Sequence, residues 1–331
     1  MPKVSIIIPV YGVEQYIERC ARSLFSQTLD GIEFIFIDDC TKDHSIEILH
    51  KVIDECYPLF NERNWVIKVE KMPINSGLPT VRKRGVQLAS GEYIAHCDSD
   101  DWVDKDMYGL MYCKAKEENL DAVYCDHYEC DGGHFLPVST FPKHEIGKQE
   151  AFDSMFADNR GYHSIWSALY RASLYEKVFE YPQVNMGEDT ALTAQLLFFS
   201  KKVGYVQQPL YYYFQRQGSI MQTISIEKQW NNARQMMKNQ DLIIRFFQQQ
   251  KLDEKYILYA KLTARFALEG LRNEQGFYEA WHNCYPEIGH RIICNKNIPM
   301  RLRAKFFLLD TGLHRWVYMI AKKLSKATQK T

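Results

Sequence analysis

The sequence lacks an excess of charge of either sign. Its 331 residues include 41 lysines and arginines and 41 aspartates and glutamates. No overall positive field therefore recruits a nucleic acid, and we expect no nucleic acid as a partner. Hydrophobic residues make up 46% of the chain, which provides for a sizeable core and excludes disorder as the default interpretation.

Three further absences narrow the class of protein. The nine cysteines include no CxxC pair, so we expect reduced, mostly buried thiols rather than a zinc site. No stretch approaches the roughly 18 consecutive apolar residues that span a bilayer, and no basic leader comes first, so we expect a cytoplasmic protein. The first predicted strand is not followed by GxGxxG, which argues against a NAD-dependent oxidoreductase.

Short apolar runs rich in β-branched residues alternate with helical patterns in the first part of the chain. The runs that predict strands are Val4–Pro9, Glu33–Asp38, Val66–Glu70, Tyr93–Cys97 and Ala122–Tyr124. Helices are predicted over 13–27, 44–59 and 104–118, the second with Asp43 as its N-cap. This alternation indicates an α/β fold with a doubly wound, mainly parallel sheet covered on both faces.

The pattern changes twice farther along the chain. After about Asp126 the alternation loosens into what we interpret as an insertion, with a helix from Lys148 to Phe156. From Glu227 onward the chain has helical periodicity and no strand alternation. We therefore predict one domain over 1–225, divided into halves 1–126 and 127–225, and a helical C-terminal subdomain over 226–331.

The last segment, residues 300–331, mixes basic side chains with large apolar ones. These are Arg301, Arg303, Lys305, Arg315, Lys322, Lys323 and Lys326 with Phe306, Phe307, Leu308, Leu309, Trp316, Val317 and Ile320. Such a composition suits a helix that lies on an anionic lipid surface. It suits equally an amphipathic helix that packs on the protein with its basic face in water. Both interpretations stay open.

Carboxylates crowd directly after the fourth predicted strand, as Asp98, Asp100 and Asp101. Like charges so close raise one another's pKa unless a cation intervenes, and a hard divalent ion completed by a diphosphate is the economical partner. The alternative is that these acids cap the next helix. Capping accounts for Asp104 but poorly for three acids at the end of a buried strand, so we favour a metal site.

Other polar residues follow the strands where ligands of such sheets gather. Asp38 and Asp39 end the second strand and could accept hydrogen bonds from a nucleobase or a ribose, or could instead cap a helix. Asn75 begins a tight turn, and Arg82 in the next helix could pair with a phosphate oxygen or form a surface salt bridge.

Glu188 and Asp189 open another helix, so both carboxylates fall in its first turn. Acids at that position complement the helix dipole by about 0.3 to 1 kcal/mol, which alone could account for them. The residues by themselves leave a catalytic role open.

Together these motifs resemble the family 2 inverting glycosyltransferases of GT-A fold. The resemblance rests on Pro9-Val10-Tyr11, Phe36 to Asp43, Asn75-x-Gly-Leu with Arg82 and Gly85, Gly91 to Ile94, and Asp98 to Asp101. Farther on, Trp166 to Arg171, Glu188-Asp189 and Leu210 to Ser219 are similar to acceptor-side motifs of bacterial members that build surface polysaccharides. The resemblance covers the chain to about residue 220. It implies that residues 1–126 bind the nucleotide sugar and residues 127–225 the acceptor.

The resemblance implies a role for each matching residue. The donor would bind at Pro9, Tyr11, Glu14, Asp38, Asp39, Asn75, Arg82 and Asp98. A divalent metal, Mg²⁺ or Mn²⁺, would be held by Asp100 and Asp98. Asp189 would be the catalytic base, with Glu188 as the adjacent alternative. The acceptor side would include Trp102, Trp166, Arg216 and Ser219.

The implied reaction is a single displacement that inverts the anomeric centre of a nucleotide-diphosphate sugar, with a UDP-sugar favoured. The acceptor would be a hydroxyl of a glycan or of a lipid-linked glycan in surface polysaccharide synthesis, and residues 300–331 could contact the inner face of the plasma membrane. Two alternatives remain, a non-catalytic relative that only binds a nucleotide sugar and a sugar nucleotidyltransferase. The second should carry a Gly-rich phosphate loop where this chain has Pro9-Val10-Tyr11-Gly12.

Three positions depart from the family's usual pattern. Gly12 replaces an asparagine after Pro-Val-Tyr, Pro79 replaces a small residue, and Lys83 replaces an asparagine after the arginine. None of them removes a carboxylate, but they put details of the donor pocket in doubt.

Overall fold

The structure is a computed structural model that describes residues 1–131, 133–141, 146–156, 164–215, 225–296 and 298–313. The chain divides into two compact units, residues 1–222 and 223–331. Among the described residues, no helix combines the length and the apolar character needed to cross a bilayer. All nine cysteines are free and five of them are buried, in accord with the expectation of reduced thiols.

The first unit alternates strands and helices. Its strands are β1 (Val4–Val10), β2 (Ile32–Asp38), β3 (Val66–Lys71), β4 (Tyr93–His96), β5 (Trp102–Val103), β6 (Ala122–Asp131), β7 (His134–Val138), β8 (Ala168–Arg171) and β9 (Val203–Phe214). Its helices are α1 (Ile17–Leu24), α2 (Ser45–Glu62), α3 (Leu78–Leu88), α4 (Met107–Glu117), α5 (Lys148–Phe156) and α6 (Glu188–Phe199). The five predicted strands are all present, and α5 has the predicted bounds.

One sheet contains all nine strands, in the order β3-β2-β1-β4-β8-β6-β9-β5, with β7 paired to β6. The first four strands are mutually parallel, as predicted. Beyond β4 the sheet is mixed, because β8 runs antiparallel to both β4 and β6, whereas β6 and β9 are parallel. The mainly parallel character therefore holds only for the half that precedes β5.

Helix α3 lies unusually close to the sheet because its residue 85 is glycine. A Cβ atom added to Gly85 would lie 2.3 Å from Cγ2 of Ile7 in β1, so no larger residue fits. The turn before α3 needs Gly77, whose φ of +80° other residues rarely adopt. This close packing brings the buried side chain of Arg82 to the edge where β1 and β4 end.

The second unit is helical throughout its described part, as predicted. Its helices are α7 (Ile226–Gln249), α8 (Glu254–Phe266), α9 (Phe277–Asn283), α10 (Gly289–Cys294) and α11 (Met300–Asp310). Buried Arg265 joins them by donating to the Cys284 carbonyl at 2.7 Å and pairing with Asp310 at 3.1 Å. Of the basic tail, only α11 and the next three residues are described, so its last 18 residues lie outside the described chain.

Candidate active site

The loop after β2 is held to the turn before α3 by one buried carboxylate. Asp39 accepts hydrogen bonds from the backbone N–H groups of Ser76 at 2.7 Å and Gly77 at 2.9 Å. Asn75 donates its side-chain amide to the Asp39 carbonyl at 3.2 Å. Asp38 closes its own loop by accepting from the N–H of Thr41 at 2.8 Å. Neither aspartate accepts from the first turn of α2, the helix that follows their loop, whereas Asp39 binds the N–H of Gly77, the N-cap residue of α3.

The loop after β1 is tied to the start of α2 by reciprocal hydrogen bonds. The N–H of Glu14 donates to Asp43 at 2.9 Å, and the Glu14 carboxylate accepts from the N–H of His44 at 3.0 Å. Burial disfavours the charged form of Asp43, yet hydrogen bonds from Ser45, Thr41 and Glu14 lower its pKa to about 2.

The N-cap residue of α2 is His44, so the prediction of Asp43 was wrong by one position, although Asp43 accepts from the N–H of Ser45, the first residue of the helix. Pro9 lies partly buried at the end of β1, and Tyr11 follows it with 50% of its surface exposed. A groove of about 370 Å³ opens beside these loops and is lined by Asp38, Thr41, Asp43, Ile46, Glu47, His50, Val69 and Lys71.

The three aspartates after β4 occupy different environments. Asp98 and Asp100 are partly exposed, whereas Asp101 is 1% exposed. Asp101 accepts hydrogen bonds from the Tyr211 hydroxyl at 2.6 Å and from the N–H of Phe214 at 2.8 Å. Burial, with the charges of Asp100 and Asp98, raises the pKa of Asp101 well above its ordinary value. Asp101 therefore anchors the loop to β9 and is not available as an open ligand.

Arg82 joins the end of β4 to the start of α6. It is 2% exposed, and its guanidinium donates to Asp98 at 2.6 Å and pairs with Glu188 at 2.9 Å. Burial disfavours its charge, but Asp98, Glu188 and Asp189 together raise the pKa of Arg82 above the ordinary value. Arg82 therefore does not form the surface salt bridge that the sequence left open. The partners described for its guanidinium are the carboxylates of Asp98 and Glu188.

The two acids at the start of α6 differ in exposure. Glu188 is 3% exposed, and burial raises its pKa to about 8 although Arg82 opposes the shift. Asp189 is partly exposed and accepts from the N–H of Thr190 at 2.8 Å. Burial is also the main cause that raises the pKa of Asp189. Of the pair, only Asp189 is partly exposed.

A family model described as Glycosyl transferase family 2 matches residues 5–179, more than half of the chain. The chain belongs to glycosyl transferase family 2. EpsH of Bacillus subtilis (strain 168), named as a glycosyltransferase, is 32% identical over 228 residues, which cover 67% of this chain and 63% of EpsH. Glycosyltransferase GlyA of Streptococcus pneumoniae serotype 4 is 30% identical over 228 residues, 66% of this chain and 31% of GlyA. The chain thus spans less than two thirds of either relative.

Solved structures support the same fold. S. aureus TarS 1-349 in complex with UDP-GlcNAc has a TM-score of 0.64 at 18% identity, over 93% of this chain and 87% of TarS 1-349. The mannosyltransferase PcManGT from Pyrobaculum calidifontis, in complex with GDP-Man and Mn²⁺, has a TM-score of 0.53 at 13% identity, over 95% of this chain and 87% of PcManGT. The predicted family and the predicted GT-A fold are confirmed.

The aromatic residues expected on the acceptor side of this family 2 chain form two stacks. Trp166 packs face to face on Tyr211, with ring centroids 4.3 Å apart. Trp102 stacks on Tyr212 at 5.1 Å, and the Arg19 guanidinium lies 3.8 Å from the Trp102 ring centroid. Two further predicted residues of that side, Arg216 and Ser219, lie outside the described residues.

Three residues that sequence reasoning missed hold this family 2 site together. Arg19 donates to the carbonyl of Asp100 at 2.9 Å, and Tyr211 binds Asp101 as described above. Asn185 accepts from the N–H of Leu78 at 3.1 Å, which links the loop before α6 to the start of α3. Asn185 and Arg19 stand in no motif that we quoted, and Tyr211 lies within one but is indistinguishable there from its tyrosine neighbours.

The departures from the family pattern have local explanations. Gly12 adopts a φ of +67°, in the left-handed region where asparagine is the next best choice after glycine. Pro79 lies in the first turn of α3, where its missing N–H costs no helical hydrogen bond. Lys83 lies over the Tyr181 ring, with its Nζ atom 5.2 Å from the ring centroid.

Asp98 and Asp100 are the predicted ligands of the divalent metal. Within the part of the chain that the structure describes, no three histidine, cysteine, aspartate or glutamate side chains form a group able to hold a metal ion. Mg²⁺ is commonly held by one or two carboxylates together with substrate phosphates rather than by an all-protein cage. Asp98 and Asp100 fit that arrangement, because both are partly exposed on one short loop.

Proposed function

We propose that this family 2 glycosyltransferase transfers a sugar from a nucleotide-diphosphate sugar to a hydroxyl of a glycan or lipid-linked glycan, with inversion at the anomeric carbon. The observation that carries the proposal is the buried guanidinium of Arg82, which holds Asp98 and Glu188 although they are ninety residues apart in the chain. It unites the carboxylates expected at the donor with those expected at the acceptor.

Asp189 is the proposed general base. Asp189 lies beside Glu188 but is a partly exposed residue, whereas Glu188 is buried. Burial of the Asp189 carboxyl group raises the pKa of Asp189, which makes it a stronger base than an ordinary aspartate. Glu188 is enclosed and paired with Arg82, so we assign it to positioning the guanidinium. The hydroxyl oxygen would lose its proton to Asp189 while it attacks the anomeric carbon and the nucleoside diphosphate departs.

The donor would lie along the loops after β1 and β2. Tyr11 offers an exposed ring, and Asp38 lines the groove at the end of β2, in keeping with the nucleoside roles expected for them. Pro9, Glu14, Asp39 and Asn75 would shape these loops through the contacts described above. A UDP-sugar is favoured because the similar TarS fold was solved with UDP-GlcNAc.

Asp98 and Asp100 would hold Mg²⁺ or Mn²⁺ together with the diphosphate. When bound, the metal would neutralise the charge that develops on the departing nucleoside diphosphate. The neighbouring PcManGT complex contains Mn²⁺ with its sugar nucleotide, which supports the choice of metal. Arg82 would keep Asp98 in place rather than reach the diphosphate itself, because its guanidinium is fully enclosed.

The acceptor and the location of the protein are proposed from the relatives and the tail. The acceptor class, a surface polysaccharide precursor, follows from the resemblance of the motifs to bacterial polysaccharide enzymes. A peripheral contact of residues 300–331 with the cytoplasmic face of the plasma membrane follows from their basic and aromatic composition. Sedimentation with anionic vesicles, compared between the full chain and a chain that ends at residue 299, tests this contact, and equal sedimentation refutes it.

Hydrolysis of a panel of UDP- and GDP-sugars with Mn²⁺ tests the proposed reaction. We expect slow hydrolysis by the wild type and its loss in Asp100→Asn, whereas Asp189→Asn should lower transfer to an acceptor by about 10² to 10⁴. Glu254→Gln is the matched control, because Glu254 is an exposed acid in the first turn of α8. If Asp189→Asn changes turnover no more than Glu254→Gln does, Asp189 is only a helix-capping residue.

The non-catalytic alternative makes a different prediction for the same samples. A protein that only binds the nucleotide sugar would gain thermal stability with UDP or GDP and Mn²⁺ but release no sugar from any donor. That result would replace the proposed reaction by a binding function.

A further inference from the structure

One tyrosine hydroxyl holds both ends of the acidic loop. The Tyr211 hydroxyl donates to the Asp101 carboxylate at 2.6 Å and accepts from the backbone N–H of Asp98 at 3.1 Å. The other Asp101 oxygen accepts from the N–H of Phe214 at 2.8 Å. Phe214 lies in β9, two residues after Tyr212, the last residue of that strand to pair with β5. The loop of four residues is thereby fixed to strand β9 at its first and last positions.

The tyrosine itself is held rigidly. Its ring is fully buried and stacks on Trp166, with centroids 4.3 Å apart and an angle of 19° between the planes. Its backbone lies in β9, paired with β6 and β5. A ring confined in this way keeps its hydroxyl at one point, because the rotation that would move it is blocked by packing.

We propose that Tyr211 is a positioning residue for the donor loop. By holding the backbone of Asp98 and the side chain of Asp101, it keeps the two partly exposed carboxylates, Asp98 and Asp100, oriented toward a metal-bound diphosphate. The inference rests on the proposed function, since it assigns Tyr211 to the same half-site. Preorganised ligands bind a metal more tightly because no loop ordering has to accompany binding.

Loss of the hydroxyl has a defined local effect. In Tyr211→Phe the stacking on Trp166 is retained, but the N–H of Asp98 loses its acceptor and one oxygen of Asp101 loses its donor. The neighbouring Tyr212 gives a matched control. It stacks on Trp102 from the same strand, and its hydroxyl forms no hydrogen bond with another described residue.

The proposal is tested by titration calorimetry, which gives the Kd of UDP and of GDP for the full chain with and without Mn²⁺. We expect Tyr211→Phe to raise the Kd in the presence of Mn²⁺ by roughly tenfold or more, the size typical for residues that orient metal ligands. Binding without Mn²⁺ should change little, and Tyr212→Phe should match the wild type within about twofold. A melting temperature for each variant separates this effect from loss of folding.

The possible results lead to different conclusions. If Tyr211→Phe lowers the melting temperature but binds UDP·Mn²⁺ and GDP·Mn²⁺ like the wild type, Tyr211 is merely structural and the inference is overturned. If the wild type binds neither nucleotide, the proposed function fails and the inference fails with it. Should Tyr211→Phe not fold, Asp101→Asn serves in its place. Asp101 accepts through both of its oxygens, and the amide nitrogen that replaces one of them cannot accept. Wild-type binding by Asp101→Asn would overturn the inference.

Discussion

Replacement of Arg82 by methionine should destabilise the protein more than any other single change in the site. Methionine fills a similar length but leaves the carboxylates of Asp98 and Glu188 without their shared cation. The contact with Glu188 is enclosed on both sides, since Arg82 is 2% exposed and Glu188 3% exposed, whereas Asp98 is partly exposed. Removing one partner of a buried ion pair costs about 3–5 kcal/mol when the remaining acid stays ionised, which for Glu188 requires a pH above its pKa of about 8.

That cost can be converted into a change in melting temperature. For a unit of about 200 residues, 1 kcal/mol corresponds to roughly 2–4 °C, so we expect a decrease of about 6–20 °C for Arg82→Met. Scanning fluorimetry without donor or metal measures it, and urea denaturation gives the free energy of unfolding. Glu188→Gln in the Arg82→Met background should recover part of the loss, since it removes one orphaned acid.

Arg84→Met is the matched control on the same helix. Arg84 pairs with Glu70 at 2.6 Å, but both side chains are more than a third exposed. Such a pair contributes about 0–1 kcal/mol, so the control should melt within a few degrees of the wild type. Equal melting temperatures for Arg82→Met and Arg84→Met would refute the reasoning that burial gives the Arg82 pairs their weight.

Three further changes test neighbouring parts of the site. Glu188→Gln should flatten the pH dependence of stability measured by urea denaturation. The pKa of Glu188 is raised from 4.5 to about 8, so between these pH values the folded state holds a proton that the unfolded state has lost. The free energy of unfolding of the wild type should therefore fall as the pH rises from 4.5 to 8, by up to about 1.4 kcal/mol per pH unit. Asp39→Asn should lower the free energy of unfolding by about 1–3 kcal/mol, because Ser76 and Gly77 donate to different oxygens of Asp39 and the amide nitrogen that replaces one of them cannot accept; an unchanged urea midpoint would contradict this. Gly77→Ala should cost about 1–3 kcal/mol in the same assay, since its φ is +80° and a Cβ would lie 3.0 Å from Oδ1 of Asn185; a stabilised variant would be the opposite of this expectation.

The fold of the first half was predictable because its signals are local. Strands such as β1 and β2 are buried on nearly every residue, and their β-branched runs are visible without any partner. The second half of the sheet gives weaker signals. Strand β6 continues to Asp131, past the predicted end at Tyr124, and β8 is only four residues long. Pairing with distant strands, rather than local preference, defines these elements.

The roles of the site residues stay predictions. Asp98 and Asp100 were noticed in the sequence because they follow a buried strand, whereas Asp189 lies in the first turn of a helix and was proposed as the base only through the family resemblance. Sequence spacing and charge could not distinguish Arg82 from Arg84 on the same helix, and only the family resemblance selected Arg82. The fold separates them, because helix geometry buries the first against the sheet and leaves the second partly exposed.

The sequence alone predicted an α/β fold with carboxylates at the ends of buried strands, because local periodicity is a property of neighbouring residues. The family was predicted from the resemblance of its motifs and then confirmed by the match to the family model. Only the tertiary structure decided which acids are open and which are occupied: Asp98, Asp100 and Asp189 are partly exposed, whereas Asp101 and Glu188 are enclosed by Tyr211 and Arg82. Burial and pairing depend on residues far away in the chain, and no local pattern specifies them.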